Sequence, residues 1–378
     1  MQLYRLGNIA DKKAVLKALG VESGGIAIMA KKMELLIFYI KDLRTPAANI
    51  LKQDALSIGA ELAVPGGVIT CEKPTYDCIL IGTRKHMEIL SRKELAQPFG
   101  LKSLAQQLGE MLRQADYPTR IMGVLNANDD SFFSGSRFQG KEAIKRIETM
   151  IEEGADIIDI GAVSSRPGAE PVDAKVELTR IKPICDAIAD AKLYEQVCFS
   201  IDSYTPSVVA YALEHGFGLV NDITGASDKE LAQLACKYGA KYCIMHMQGT
   251  PKTMQKAPHY EDVTAEVSAF FEERIAVCEA AGLKREDIIL DVGIGFGKTL
   301  EHNLTLLKNL RHFTRFGCEV LIGASQKSMI DKIIPTPVEE RLSGTLAIHL
   351  KAVENGASIV RCHDVREHKQ ALAVWEAL

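Results

Sequence analysis

From about residue 119 onward, short runs of apolar, often β-branched residues alternate with longer amphipathic stretches, and this unit repeats eight times. Nearly continuous apolar runs are typical of strands that are covered on both faces in a parallel sheet. The predicted strands are RIMGVLN (120–126), DIIDIG (156–161), VCFSID (197–202), FGLVND (217–222), KYCIMH (241–246), DIILDVG (287–293), EVLIGAS (319–325) and SIVRCH (358–363). Between them, apolar residues spaced near 3.6 predict helices, several of which end at a glycine.

Eight strand–helix units in about 260 residues predict a (β/α)8 TIM barrel. A doubly wound sheet is the competing fold, and the barrel is favoured because the count closes at eight. The pattern changes near residue 115, so we predict a smaller α/β domain over 1–115 and the barrel over 116–378. In the first domain we predict strands at MELLIFYI, GGVIT and DCILIG and helices at TPAANILKQDALSIGA, TRKHMEILSRKEL and LKSLAQQLGEMLRQ.

The composition excludes several classes of protein. Of the 378 residues, 47% are hydrophobic and 25% are charged, as in an average globular protein. The net charge of −4 and the lack of a basic run argue against nucleic acid as a partner. No apolar stretch approaches the ~20 residues that cross a bilayer, and the N-terminus lacks a signal-peptide core. Nine cysteines without a CxxC pair indicate reduced thiols in a cytoplasmic protein.

Polar residues follow the predicted strands at the end where barrels of this kind carry their active sites. One Asp or Asn at a strand end is usually a turn residue, and a lone His is usually structural. Repetition around the barrel favours an active site instead. The residues concerned are Asn126, Asp202, Asn221, His246, Asp291, Lys327, Ser328, Arg361 and His363.

The stretch VGIGFGKT (292–299) invites a nucleotide-binding interpretation, which its spacing does not support. A P-loop needs a glycine where Val292 stands, and the third glycine comes one residue early for a dinucleotide fingerprint. We predict a tight turn after a strand, in which small residues let a flat ligand approach the backbone.

The residue types at the strand ends indicate a class of ligand. A carboxylate such as Asp202 or Asp291 can accept from the exocyclic amine and ring N–H of a 2-amino-4-oxo pyrimidine. Asn221 offers both a donor and an acceptor, and a lysine can donate to the 4-oxo group. This set fits a pterin, a guanine or another amide heterocycle. On the opposite side we expect a cationic, donor-rich half suited to a diphosphate, formed by Asn126, Ser165, Arg166, Arg361 and His363.

Eight motifs stand in an order that resembles the dihydropteroate synthase family, from about Arg120 to Leu378. They are MGVLN with DSF, DIIDIG with SSRPG, SID, NDI, MHMQGTP, GIGFGKT, QKS and RCHDV. The family joins 6-hydroxymethyl-7,8-dihydropterin diphosphate to 4-aminobenzoate, which releases pyrophosphate and forms 7,8-dihydropteroate for folate biosynthesis. The resemblance implies two small-molecule substrates, Mg²⁺ and a homodimer.

The resemblance also implies a role for each matching residue. The pterin would be held by Asp202, Asn221, Asp291 and Lys327. The diphosphate would be held by Asn126, Arg361 and His363, with Asn126 as the Mg²⁺ ligand. The aminobenzoate pocket would be shaped by Ser165, Arg166, Pro167, Phe296 and Ser328, with Phe132 on the first loop. The catalytic residues would be Asp202, Lys327, Arg361 and Asp130.

The two loops that follow the first strands depart from the family pattern. The first reads NANDDSFFSGS in place of NVTPDSFSDGG, so Asp129 stands where the family has Pro and Ser134 where it has an acid. The second carries Val163 in place of a Glu, and further along Gln326 replaces an Arg. These changes leave open the alternative of a non-catalytic pterin-binding paralogue. A pterin-dependent methyltransferase is a second alternative, because it would share the pterin-binding residues, although QKS and RCHDV argue against it. We hypothesise that Asp129 partly replaces the missing carboxylate.

Overall fold

The computed structural model describes residue 3 and residues 11–113, 117–127, 136–163, 168, 170 and 172–377, with the side chains of 136–141 left undescribed. The chain divides into two compact units, Met1–Gln114 and Ala115–Leu378. Each unit has its own buried hydrophobic cluster.

The first unit is an α/β structure built on a three-stranded antiparallel sheet. Its elements are α1 (Lys12–Ala18), α2 (Ser23–Lys32), β1 (Leu35–Arg44), α3 (Thr45–Ile58), β2 (Glu61–Ala63), β3 (Thr75–Thr83), α4 (Arg84–Lys93) and α5 (Leu101–Met111). The strand order is β1-β3-β2, and both neighbours of β3 run antiparallel to it. Pro46 near the start of α3 and Gly59 after its end are the residues that favour those boundaries.

The sequence prediction of a strand at GGVIT is wrong, because residues 66–70 form turns. Gly67 has a φ of +86°, which an extended strand does not allow. Its carbonyl accepts from the N–H of Glu72, and the Val68 carbonyl accepts from the N–H of Cys71. The short strand lies earlier, at β2, directly after the stretch predicted as a helix.

The second unit is a closed barrel of eight parallel strands, which confirms the predicted (β/α)8 fold. Its strands are β4 (Arg120–Asn126), β5 (Ile157–Gly161), β6 (Cys198–Asp202), β7 (Leu219–Asp222), β8 (Lys241–Met245), β9 (Ile288–Asp291), β10 (Glu319–Ile322) and β11 (Ile359–Cys362). Its helices are α6 (Ser136–Glu153), α7 (Ala174–Asp190), α8 (Pro206–Glu214), α9 (Lys229–Tyr238), α10 (Val263–Ala280), α11 (Leu300–Lys308), α12 (Ser328–Ile333), α13 (Leu342–Glu354) and α14 (Val365–Ala377).

Alternate residues of the barrel strands point inward and fill the interior, as the period of a strand requires. The central layer is apolar and consists of Met122, Ile157, Leu219, Cys243, Ile289, Leu321 and Ile359. Toward the N-terminal ends of the strands, Glu319 accepts hydrogen bonds from Arg120 and from Lys241 Nζ (2.6 Å). The apolar layer thus separates these paired charges from the polar residues at the C-terminal ends of the strands.

All nine cysteines are free thiols, and Cys71 is exposed. Among the described residues, we find no helix with both the length and the apolar character needed to cross a bilayer.

Candidate active site

The described candidate residues lie at the C-terminal ends of the barrel strands. Asn126, Asp202 and Asp291 are the last residues of β4, β6 and β9. Asn221 is the third residue of β7 and Arg361 the third of β11. Parallel strands in a closed barrel bring these ends to one rim, so residues far apart in sequence face a common space.

A hydrogen-bonded network crosses the barrel at this rim and is centred on Asp159, a residue of β5. Arg361 donates to Asp159 Oδ2 from Nε (2.7 Å) and lies 2.6 Å from it at Nη2. The same Nη2 donates to Asp202 Oδ2 (2.8 Å). Asn221 Nδ2 also donates to Asp159 Oδ2 (3.0 Å). The predicted separation into a pterin half and an opposite cationic half is therefore wrong for Arg361, which is directly paired with Asp202.

Two carboxylates share one guanidinium in this network, and the pKa values of Asp202 and Arg361 reflect it. Burial and the negative charge of Asp159 raise the pKa of Asp202 to about 7, although Arg361 opposes the shift. Burial disfavours the charge on Arg361, but Asp159 and Asp202 outweigh it and raise the pKa of the guanidinium. Arg361 therefore stays charged, while Asp202 titrates near neutral pH.

Asp291 and Lys327 form a second polar group at the rim. Burial raises the pKa of Asp291, whereas the N–H of Gly293, which donates to its Oδ1 (2.8 Å), and the charges of Arg361 and Lys327 act in the opposite direction. Lys327 Nζ lies 4.3 Å from the centroid of the Phe296 ring, within the range of a cation–π contact. The Lys327 ammonium thus lies over the Phe296 ring and acts electrostatically on Asp291.

An apolar cluster lies beside these polar groups. It consists of Ile223, Met245, Met254 and Phe296, with Met247 packed against it. Polarisable thioethers and an aromatic ring make favourable contacts with flat π systems. A polar rim next to an apolar wall is the arrangement expected for a flat heterocycle with a polar edge.

The glycine-rich turn after β9 lies against the chain that follows β8. Gly293 and Gly297 have φ of +67° and +61°. A Cβ at Gly293 would lie 2.0 Å from the carbonyl oxygen of His246, and one at Gly297 would lie 2.4 Å from that of Gln248. Gly293 and Gly297 are therefore required by the close passage of the chain after β8, and the predicted approach of a flat ligand to this turn stays a prediction.

Lys298 joins the turn after β9 to the chain after β8 from within the protein. Its Nζ is hydrogen-bonded to His246 Nδ1 (2.9 Å) and donates to the carbonyls of Phe296 (2.9 Å), Gly293 (3.1 Å) and His246 (3.2 Å). Burial lowers the pKa of Lys298 to about 7, and burial together with Lys298 lowers that of His246 to about 3. His246 is therefore a neutral structural residue that accepts a hydrogen bond.

The chain segments after β10 and β11 are joined by side chains. Ser325 Oγ lies 2.9 Å from His363 Nδ1, and Gln326 Nε2 donates to Asp364 Oδ2 (3.3 Å). Ser328 is exposed and begins α12, as the sequence predicted. These contacts place the motifs QKS and RCHDV side by side.

Several predicted residues lie outside the described part of the chain. They are Asp129, Asp130, Phe132 and Ser134 in the first loop and Ser165, Arg166 and Pro167 in the second. Their roles stay predictions. Within the described part, no group of three or more His, Cys, Asp or Glu side chains could hold a metal ion.

A family model for pterin binding enzymes matches residues 122–363, which form the barrel. A dihydropteroate synthase of Escherichia coli K12 is 44% identical over 258 residues, 68% of this chain and 90% of that protein. This chain belongs to the dihydropteroate synthase family. A bifunctional dihydropteroate synthase/dihydropteroate reductase of Helicobacter pylori is 42% identical over 379 residues, which cover 100% of this chain and 99% of that protein.

Solved structures of the dihydropteroate synthase family share the fold. The Yersinia pestis enzyme in complex with a sulfonamide drug has a TM-score of 0.64 and 37% identity, covering 69% of this chain and 94% of that one. The Thermus thermophilus enzyme in complex with 4-aminobenzoate has a TM-score of 0.62 and 40% identity, covering 69% and 95%. The likeness thus extends over about as much of this chain as the barrel occupies.

Two buried charged residues near the rim were missed by the sequence reasoning that led to the dihydropteroate synthase family. Asp159 sits inside an apolar run, where the single polar letter of DIIDIG was the available signal. Lys298 lies in the glycine-rich stretch, where the motif spacing gives it no role. In both cases the partner is far away in sequence, so only closure of the barrel shows what the side chain does.

Proposed function

We propose that the barrel joins 6-hydroxymethyl-7,8-dihydropterin diphosphate to 4-aminobenzoate, with release of pyrophosphate and formation of 7,8-dihydropteroate. Family membership supports the reaction. The observation that carries it to individual residues is the rim network, in which Asp202 and Asn221 lie with Arg361 beside a buried Asp291. It offers acceptors for the ring donors of a pterin and a cation for the diphosphate.

In this reaction the bond between the pterin methylene carbon and the diphosphate oxygen breaks, and pyrophosphate leaves with the electron pair. The arylamine nitrogen then bonds to that carbon and loses a proton. Positive charge develops on the dihydropterin, which Asp202 and Asp291 stabilise, while Arg361 stabilises the leaving group. Catalysis of this kind consists of positioning and electrostatic stabilisation, without a covalent intermediate on the protein.

Mg²⁺ remains part of the proposal, with Asn126 as its protein ligand. Mg²⁺ takes oxygen ligands and is commonly held by one or two carboxylates, substrate phosphates and water rather than by a protein cage. Asn126 would supply an amide oxygen in place of a carboxylate, at the end of β4 on the rim that also carries Arg361. When bound, the ion would neutralise charge on the departing pyrophosphate.

The test is pyrophosphate release by the whole chain with and without 4-aminobenzoate. We expect release to depend on the arylamine and to fall at least about tenfold in Asp291→Ala, because a charged acceptor of the pterin is lost. A pterin that binds without turnover would identify a non-catalytic paralogue. Methyl transfer from a methylated folate, in place of pyrophosphate release, would identify a methyltransferase.

A second activity is favoured by one observation. The Helicobacter pylori relative, whose name includes dihydropteroate reductase, matches the whole chain, whereas the Escherichia coli synthase matches 68% of it. We propose that the first unit serves a reductase activity on the product. Hydride from a reduced nicotinamide or flavin would add to C6 of dihydropteroate and a proton to N5, giving tetrahydropteroate.

This activity is tested by dihydropteroate-dependent oxidation of NADPH, with and without added flavin mononucleotide. The Asp291→Ala variant separates the two functions, because a reductase site in the first unit should survive loss of synthase activity. Absence of oxidation by the wild-type chain under all conditions would contradict the second activity and leave the first untouched.

Localisation and assembly follow as smaller proposals. We propose a cytoplasmic protein, because nine free thiols suit a reducing compartment. We also propose a homodimer, on family resemblance. Cell fractionation and light scattering on the purified chain test these two points.

A further inference from the structure

Asp159 is a fully enclosed charged residue of the rim. It lies on β5 with no exposed surface, and its Oδ2 accepts from both Arg361 and Asn221. Its Oδ1 is buried and has no hydrogen-bond partner among the described residues. A buried carboxylate is costly, so its retention inside an apolar strand needs a reason beyond stability.

One consequence concerns the amide of Asn221, which is 5% exposed. One Nδ2 hydrogen is taken by Asp159 Oδ2, because a flipped amide would set its oxygen against a carboxylate oxygen. The amide therefore presents Oδ1 and its second Nδ2 hydrogen elsewhere, in one fixed order. An amide that can flip can donate to or accept from the same ligand atom. A fixed amide distinguishes a ligand donor from a ligand acceptor.

A second consequence concerns Arg361. Its Nε and Nη2 edge is turned toward Asp159 and Asp202. A guanidinium held along one edge by two carboxylates has a fixed plane, so its remaining donors keep one direction. Asp159 thus sets the geometry of one group assigned to the pterin and one assigned to the diphosphate.

We propose that Asp159 is a positioning residue of the pterin site, which orients the amide of Asn221 and the guanidinium of Arg361 without itself contacting the substrate. This proposal rests on the proposed function, since it names the pterin as the ligand that the oriented groups recognise. It adds a residue that the sequence motifs did not assign to the site.

The charge on Asp159 gives the proposal a signature that packing alone lacks. The groups that act on Asp202 are Asp159, Arg361, Glu177 and Asp222. After burial, Asp159 is the largest influence raising the pKa of Asp202. Removing that charge should make Asp202 ionise at lower pH, although the shape of the site is retained.

The experiment measures binding of 6-hydroxymethylpterin by calorimetry from pH 5.5 to 8.5. For Asp159→Asn, we expect affinity at pH 8.5 to fall by about tenfold. An amide at position 159 can donate as well as accept, so it no longer fixes the orientation of the Asn221 amide. We also expect the midpoint of the acid-side loss of binding to move down by about one pH unit. The matched control is Ser200→Ala, since Ser200 is buried on the neighbouring strand and is the backbone pairing partner of Asp159.

The outcomes distinguish failure of the proposed function from failure of the positioning role of Asp159. If the wild-type chain binds no pterin, the proposed function fails. If it binds and Asp159→Asn matches it in affinity and midpoint, the positioning role fails. Equal losses in Asp159→Asn and Ser200→Ala, with no change in midpoint, would reduce Asp159 to a packing residue and overturn the proposal.

A second measurement needs no variant at Asp159. In the unliganded wild type, the Nε hydrogen of Arg361 should exchange slowly with solvent, because it points at a fully buried oxygen. Its NMR signal is assigned by its disappearance in Arg361→Lys. Exchange as fast as that of a surface arginine would contradict the proposal even if Asp159→Asn did not fold.

Discussion

Two buried histidines predict how the stability of the barrel unit depends on pH. The backbone N–H of Ala324 donates to His349 Nε2 (3.0 Å), and His349 Nδ1 lies 2.8 Å from His368 Nε2. His368 Nδ1 in turn lies 2.7 Å from the carbonyl oxygen of Asp364. A backbone N–H can only donate and a carbonyl can only accept, so each neutral ring carries its hydrogen on Nδ1. A further proton on either Nε2 would set two donors face to face.

The size of the effect follows from the pKa of His349. Burial and His368 lower it to about 3, against about 6.5 in an unfolded chain. Below pH 6.5 the unfolded chain therefore binds a proton that the folded chain refuses, so stability falls as the pH falls. The slope is about 1.4 kcal/mol per pH unit, which amounts to roughly 2 kcal/mol by pH 5.

The change to make is His349→Leu, which removes the titrating ring. It leaves the Ala324 N–H and His368 Nε2 buried without partners, at about 1–3 kcal/mol each, so unfolding at pH 7 should become easier by roughly 2–6 kcal/mol. His349→Gln is the matched variant, because its amide oxygen can still accept from Ala324, and about half the loss is expected. Both variants should lose less stability than the wild type between pH 7 and pH 5.

Urea unfolding followed by tryptophan fluorescence measures this directly. Trp375 is the only tryptophan of the chain, and it lies on α14, which also carries His368. The signal therefore reports on the barrel unit alone. If His349→Leu and the wild type lose the same stability between pH 7 and pH 5, the assignment of a neutral buried His349 is wrong.

Three further predictions follow from the rim, the first unit and the first loop. Asn126→Ala should lower turnover of the pterin diphosphate by about tenfold while affinity for 6-hydroxymethylpterin changes by less than about twofold; equal losses in kinetics and calorimetry would remove its role toward the diphosphate. Burial and Asp54 raise the pKa of the buried Glu94 to about 7, so the first unit loses stability, on the order of 3 kcal/mol, as the pH rises from 4.5 to 7. Glu94→Gln should abolish that loss, as measured by hydrogen exchange of residues 84–96, and identical exchange in both proteins would contradict it. Asp129→Asn should lower kcat and kcat/KM together by about tenfold, with partial rescue by Ser134→Asp, and wild-type rates would end the hypothesis that Asp129 replaces a missing charge.

The barrel was predictable because its strands are buried on both faces, which leaves a nearly continuous apolar signal. Predicted strand ends were less accurate. EVLIGAS was predicted as one strand, whereas β10 ends at Ile322. Beyond that point the backbone N–H groups of Ala324 and Gln326 donate to His349 and Thr345 on α13 instead of to a neighbouring strand. No local sequence pattern predicts such a change of hydrogen-bond partner.

Chemistry at the strand ends was predictable by residue type, but its pairing was not. Asp202 and Arg361 were each recognised as unusual for their positions, yet they were assigned to separate halves of the site. Their contact joins residues 159 positions apart in the sequence. The contact depends on how far the Arg361 side chain reaches across the barrel and on which interior layer each residue occupies. Neither the reach nor the layer can be inferred from the motifs RCHDV and SID alone.

The charge balance of the rim links these observations to the reaction. Asp202 and Asp291 have the carboxyl groups of Asp159, Glu177 and Asp222 as charged neighbours, together with the cations Arg361, Lys327 and Lys298, so the described carboxyl groups outnumber the described cations by five to three. Such a rim suits the positive charge that develops on a dihydropterin, but it opposes an approaching diphosphate. Cation must therefore arrive with the diphosphate or from elsewhere in the chain, which agrees with the proposal that Mg²⁺ accompanies this substrate. On this reasoning, diphosphate affinity should depend on Mg²⁺ concentration far more than the affinity for a plain pterin does.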